Sequence, residues 1–145
     1  WEDLSRDTRI VRNGQKIAAV RRNAWLVHET SIQYGNFGEF LAQWPTDDLV
    51  GLFLHLKKHG SRLGGNTGQY WTQSVGKDSY ALTGDVVACL RGASVEIAEN
   101  PTSKRDLLKI QDTFNEWHVE TGLPYRHLSH IAAYSVGDNR VGIDA

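Results

Sequence analysis

Between Arg62 and Val87 the chain reads RLGGNTGQYWTQSVGKDSYALTGDVV: a glycine-rich turn, a helix-forming stretch, and one aspartate, Asp85, at the next expected helix start. Adjacent glycines let a chain turn tightly and leave backbone N–H groups uncovered. Such donors at a helix N-terminus suit a phosphate oxygen. A contact of this kind positions a nucleic acid without reading its bases. The turn does not read as a nucleotide loop, because GGNTG lacks the G-x-G-x-x-G spacing, no strand precedes it, and GKDS lacks the upstream glycine of a Walker loop. The residues alone leave it open between a phosphate cradle and a glycine cap between two packed helices. They leave Asp85 open as well, between a reactive carboxylate and a first-turn acid favoured by the helix dipole, with Thr83 or Gly84 as cap.

Other residue types contribute less. His127 and His130 stand three apart and His118 precedes them, but a metal site needs further ligands and the single cysteine, Cys89, does not supply a set. No metal site is expected, and zinc and an iron–sulfur centre are not indicated. Cys89 lies in the apolar run DVVACL, which fits a reducing compartment or a buried small hydrophobe.

The elements that must position these residues are helical. Asn13 is a cap signal for a helix to about Tyr34, with Ile17, Val20, Ala24 and Val27 as its apolar face, ended by Gly35. A short helix over 37–43 stops before Pro45, and Thr46 or Asp47 caps a third, with Leu49, Leu52, Phe53 and Leu56 on one face and Gly60 at its end. Residues 66–75 form a fourth helix, broken by Gly76-Lys77-Asp78, and a fifth runs from Thr83 or Asp85 to about Gly92. Ser103-x-x-Asp106 opens a sixth, with Leu107, Ile110, Phe114 and Trp117 at helical spacing, and Pro124 opens the last after Gly122. SYAL could be extended, but no second alternating run exists to pair with it. The fold class is therefore all-α, a bundle of about seven helices. Residues 1–145 are expected to form one helical domain, with 1–92 as its core and 103–137 completing the bundle.

The 145 residues, 40% hydrophobic and 23% charged, are enough for one folded domain with a continuous core. No apolar run approaches the ~18 residues of a membrane span and no secretory signal opens the chain, so a cytoplasmic protein is expected. The net charge of −1 does not advertise a nucleic-acid binder. Its distribution differs: residues 49–77 hold Lys57, Lys58, Arg62 and Lys77 with no aspartate or glutamate, while acids cluster at Glu96, Glu99, Asp106, Asp112, Glu116 and Glu120. Lys77 reads as a solvated or phosphate-facing charge.

A helix, LGGNTGQYW and then YALTGDVV, in that order, resemble the helix–hairpin–helix superfamily of base-excision DNA glycosylases. Within it, TRIVRNGQKIAAVRRNAWLV fits the I-x-R-x-x-x-K-I-x-x-h-x-x-N-A helix that precedes the hairpin in the 3-methyladenine DNA glycosylase I branch. The resemblance covers residues 8–136. It implies hydrolysis of the N-glycosidic bond of an alkylated purine such as 3-methyladenine in duplex DNA carrying a damaged base, within base excision repair and a bacterial nucleoid-associated setting. Asp85 falls where the family places its catalytic aspartate. Positive charge builds on the deoxyribose as the bond breaks, and an ionised carboxylate stabilises it and orients the attacking water.

By the same resemblance, Arg62, Leu63, Gly64, Gly65, Asn66, Thr67 and Gly68 hold the DNA backbone. Tyr34, Trp71 and Tyr80 are candidates to stack on an extruded cationic base, while Trp25 and Trp117 read as core packing. Lyases of the superfamily carry a Schiff-base lysine in the hairpin, where this chain has Thr67, so strand cleavage is not expected. No cofactor is implied, although a monovalent cation on hairpin carbonyls is compatible with the family. Relatives carry further helices ahead of the point where Trp1 begins, and these complete the base pocket. A preceding segment or a second chain is therefore an expected partner. The alternatives are a non-catalytic helix–hairpin–helix DNA-binding module, an incomplete glycosylase fragment, and a helical protein-interaction domain with an incidental hairpin.

Overall fold

The computed structural model describes residues 2–137. Among them are eight helices and no strand: α1 (Glu2–Arg6), α2 (Gly14–Tyr34), α3 (Phe37–Gln43), α4 (Leu49–His59), α5 (Asn66–Ser74), α6 (Gly84–Gly92), α7 (Lys104–Thr121) and α8 (Tyr125–Tyr134). The all-α expectation holds, and α1 is an eighth helix that the sequence reading lacked. Most boundaries follow local chemistry. Asn13 accepts from the Lys16 amide, Asn36 from Glu39, Thr83 from Val86 and Ser103 from Asp106. Gly122 closes α7 with φ of 69°.

One cap is displaced. Asp48, not Thr46 or Asp47, accepts from Gly51 N at 3.0 Å at the start of α4. Pro45 initiates a turn whose carbonyl takes the Asp48 amide at 3.2 Å, and Thr46 and Asp47 are used up inside it.

The apolar stripe of α4 joins two clusters. Leu49 and Phe53 pack with Tyr80, Leu82, Val86, Leu90, Ile110, Phe114, Tyr125 and Leu128, whereas Leu52 and Leu56 pack with Leu26, Phe40, Leu41 and Leu63. The first cluster ties α4 to α6, α7 and α8, and the second ties it to α2, α3 and the turn before α5. A buried polar set reinforces the first. Gln111 Oε1 accepts from Val50 N at 3.0 Å and from the Tyr80 hydroxyl at 3.3 Å. Gln111 Nε2 donates to Asn115 Oδ1 at 2.8 Å, which also accepts the Tyr125 hydroxyl at 2.8 Å.

Helix α2 faces the protein with a different stripe from the expected one. Ala19, Leu26 and Thr30 are buried and Asn23 is half-buried, whereas Val20 is 66% exposed and Val27 lies on the open side. Trp25, expected in the core, is 62% exposed beside His28. Asn23 lies on this inward stripe, and both ends of its side-chain amide reach the backbone at Ser61. Trp117 does pack as expected, edge-on to Phe114.

Candidate nucleic-acid interface

Helix α4, the turn 60–65 and α5 form the helix, hairpin and helix read from the sequence. Three contacts shape the turn. Leu63 is buried in the second cluster and pins the loop inward. Asn23 pairs with Ser61 on both amide edges, donating from Nδ2 to the Ser61 carbonyl at 3.1 Å and accepting from the Ser61 amide at 2.7 Å. Gly68 brings the first turn of α5 so close to the Leu63 carbonyl that a Cβ there would stand 2.2 Å from the oxygen. Positive φ at Arg62 (61°) and Gly65 (58°) completes the reversal. Asn23 belongs to the N-A end of the α2 motif, but a lone asparagine in a helix gave no signal of its distant partner.

The seven expected backbone-binding residues thus divide. Leu63 and Gly68 are buried and build the turn, and Gly64 lies under the aliphatic stem of Lys57. Arg62, Gly65, Asn66 and Thr67 are exposed. Helix α5 starts at Gly65, which offers no side-chain acceptor to the first-turn amides. Its neighbours are capped by Asn13, Asn36, Asp48, Thr83 and Ser103, and α8 by Asp78, whose carboxylate takes the amides of Tyr125 and Arg126, both at 3.0 Å. An exposed, uncapped helix start favours an incoming anion.

Beside the turn lies an open groove of about 1100 Å³, walled by α2 on one side and the end of α4 with residues 60–62 on the other. Arg21, Arg22, Lys58 and Arg62 line it together with His59 and the exposed ring of Trp25, and its lining includes no aspartate or glutamate. Arg62 Nη1 donates to Gln15 Oε1 at 3.1 Å, which holds the guanidinium on the α2 side. The basic surface is therefore built from two helices, and Arg21 and Arg22, which were not singled out in the sequence, supply half of its Lys and Arg.

Asp85 is exposed in the first turn of α6, and the cap of that helix is Thr83. The path from the hairpin to Asp85 is fixed by two glutamines one turn apart on α5. Gln69 Oε1 accepts from Leu82 N and Gln73 Nε2 donates to Ser79 O, each at 2.7 Å. Segment 77–83 forms neither helix nor strand, and these side chains satisfy two of its backbone groups. Lys77 is not a solvated or phosphate-facing charge. It is half-buried, donates to the Trp44 carbonyl, and its pKa is lowered chiefly by burial.

The three aromatic candidates do not share a pocket. Tyr80 is fully buried, stacks on Phe114 at 4.4 Å, and has its pKa raised chiefly by burial, so it is a core residue. Tyr34 and Trp71 join a second aromatic group through Phe40 and Phe37. Tyr34 is 41% exposed and Trp71 is half-buried. His55 packs on Phe40 and Trp44 in this group, and burial, then His59 and Lys58, lower its pKa.

Among the described residues, no group of three or more His, Cys, Asp or Glu is placed to hold a metal ion. His118 Nδ1 is instead 2.8 Å from the Leu123 carbonyl, with its ring stacked on Tyr125. No described helix is long and apolar enough to cross a membrane. Comparison with protein-family models, curated proteins and solved structures returns no match for this chain.

Proposed function

We propose that the α4–hairpin–α5 unit grips the backbone of duplex DNA and that the chain acts there as a monofunctional DNA glycosylase on an alkylated purine such as 3-methyladenine. The observation that carries the DNA contact is the sorting of charge. A chain of net charge −1 gathers Arg21, Arg22, Lys58 and Arg62 along one acid-free groove that opens beside the hairpin. The uncapped start of α5 offers a further phosphate contact at Gly65, Asn66 and Thr67.

The glycosylase step rests on the order of the α2 motif, the hairpin and Asp85. Water attacks the anomeric carbon, the N-glycosidic bond breaks, and the purine leaves with the bonding electrons. Asp85 stabilises the positive sugar and orients the water. An alkylated purine is already cationic, which weakens its bond and reduces the catalysis required. Thr67 at the lyase position offers no amine, so the product is an abasic site in an uncut strand.

The decisive experiment measures free base released from methylated duplex DNA alongside binding to the same duplex. Release that disappears in Asp85→Asn with binding retained supports the enzyme. Binding without release supports the second reading, a non-catalytic DNA-binding module. The exposure of Asp85 favours that reading, since a carboxylate in water stabilises a cation far less than one in a dry site. Absence of any salt-sensitive binding rejects both.

A further inference from the structure

On the other side of the hairpin, a second cavity of about 340 Å³ lies between α4, the first turn of α5, the start of α6 and residues 99–102. Its body is apolar, walled by Phe53, Leu54, Leu82, Val87, Pro101 and Leu107. One polar group in it stands out. Gln69 is 4% exposed and lines the cavity, and its Oε1 is committed to the Leu82 amide at 2.7 Å. That bond fixes which end of the amide is which, and Nε2 donates to no other described residue. This nitrogen is not sealed from solvent, so an acceptor seated in the cavity takes the place of water on it. Lys57 stands at the rim with its stem on Gly64 and, among the described residues, forms no ion pair with Glu99 across the opening.

We infer that this cavity is a binding site for a small carboxylate with an apolar, ring-sized body. The carboxylate accepts from Gln69 Nε2 and lies within the field of Lys57, and the body fills the space between Phe53, Leu82 and Leu107. The volume suits a molecule of about a dozen heavy atoms, at the low end for small-molecule sites. Two neighbouring helix starts, at Gly65–Asn66 and Thr83–Gly84, add positive partial charge to the same wall. The site shares no lining residue with the basic groove, although Gly65 and Asn66 also belong to the proposed phosphate contact, and it stands whether or not the chain acts on DNA.

The test is a titration of the ¹⁵N-labelled chain, without DNA, with 3-phenylpropionate and separately with 2-phenylethylamine, following the Gln69 side-chain amide pair by NMR. The expected result is a saturable Gln69 shift with the acid at a Kd on the order of 1 mM and none with the amine. Lys57→Gln, at an exposed position, weakens the acid by about fivefold. Leu54→Trp fills the cavity and abolishes the shift. No saturable shift up to about 20 mM, or an equal response to the amine, overturns the assignment. If Leu54→Trp does not fold, Lys57→Gln decides: unchanged affinity in that variant places the acid elsewhere.

Discussion

Substituting Gly68 by alanine tests the account of how the hairpin is held. A Cβ at this position would meet the Leu63 carbonyl oxygen at 2.2 Å and its carbon at 3.2 Å. Ordinary van der Waals contact begins about 1 Å further out, and both partners are backbone, so no rotamer change relieves the overlap. Helix α5 must retreat from the turn, at about 3 kcal/mol for overpacking of this kind. Alanine recovers up to about 1 kcal/mol through its better helix propensity. The net loss is about 2 kcal/mol, a fall in Tm of roughly 6–8 °C for a domain of this size. Gly92→Ala is the control, because a Cβ at Gly92 meets nothing within 4 Å. It should leave stability unchanged or raise it by up to about 0.5 kcal/mol. Urea and thermal unfolding of both variants provide the measurement. A Gly68→Ala protein that melts within about 2 °C of the parent refutes the close approach of α5 to Leu63.

Further outcomes follow from other contacts. Asn23→Ala removes both bonds to Ser61 and should cost about 1–2 kcal/mol, with faster hydrogen exchange at the Ser61 amide than at the Leu52 amide. The Ser79 hydroxyl is buried with no partner among the described residues, so Ser79→Ala should be neutral or stabilising by up to about 1 kcal/mol in urea unfolding. In duplex binding, log K should fall with log salt at a slope of about −3 to −4, and Arg22→Ala and Arg62→Ala should each reduce it by about 1. The pKa of His55 is lowered on folding, so below its unfolded value near 6.5 the unfolded chain binds the additional proton. Stability should therefore fall as pH drops from about 6.5 toward the folded pKa and level off below it, and His55→Gln should flatten that part of a stability profile against pH.

The sequence by itself determined most helix ends and the hairpin. Caps such as Asn13, Thr83, Ser103 and Gly122 act on amides and carbonyls a few residues away, so their effect is written locally. It also held the order of pieces that carries the glycosylase resemblance. Only the tertiary structure decided which faces those helices present. In α2, Val20, Ala24 and Val27 have a respectable apolar spacing, yet the stripe of Ala19, Asn23, Leu26 and Thr30 faces inward, with Asn23 bonded to Ser61, 38 residues away, and Trp25 lies at the edge of the groove. Tyr80 and Trp71 are both base-stacking candidates by the resemblance, but one is sealed against Phe114 and Gln111 while the other joins the aromatic group around Phe37. The groove itself escapes a linear reading because Arg21 and Arg22 meet Lys58 and Arg62 only when α2 crosses the end of α4. Charge adds up in space, and the residues that create this field are far apart along the chain.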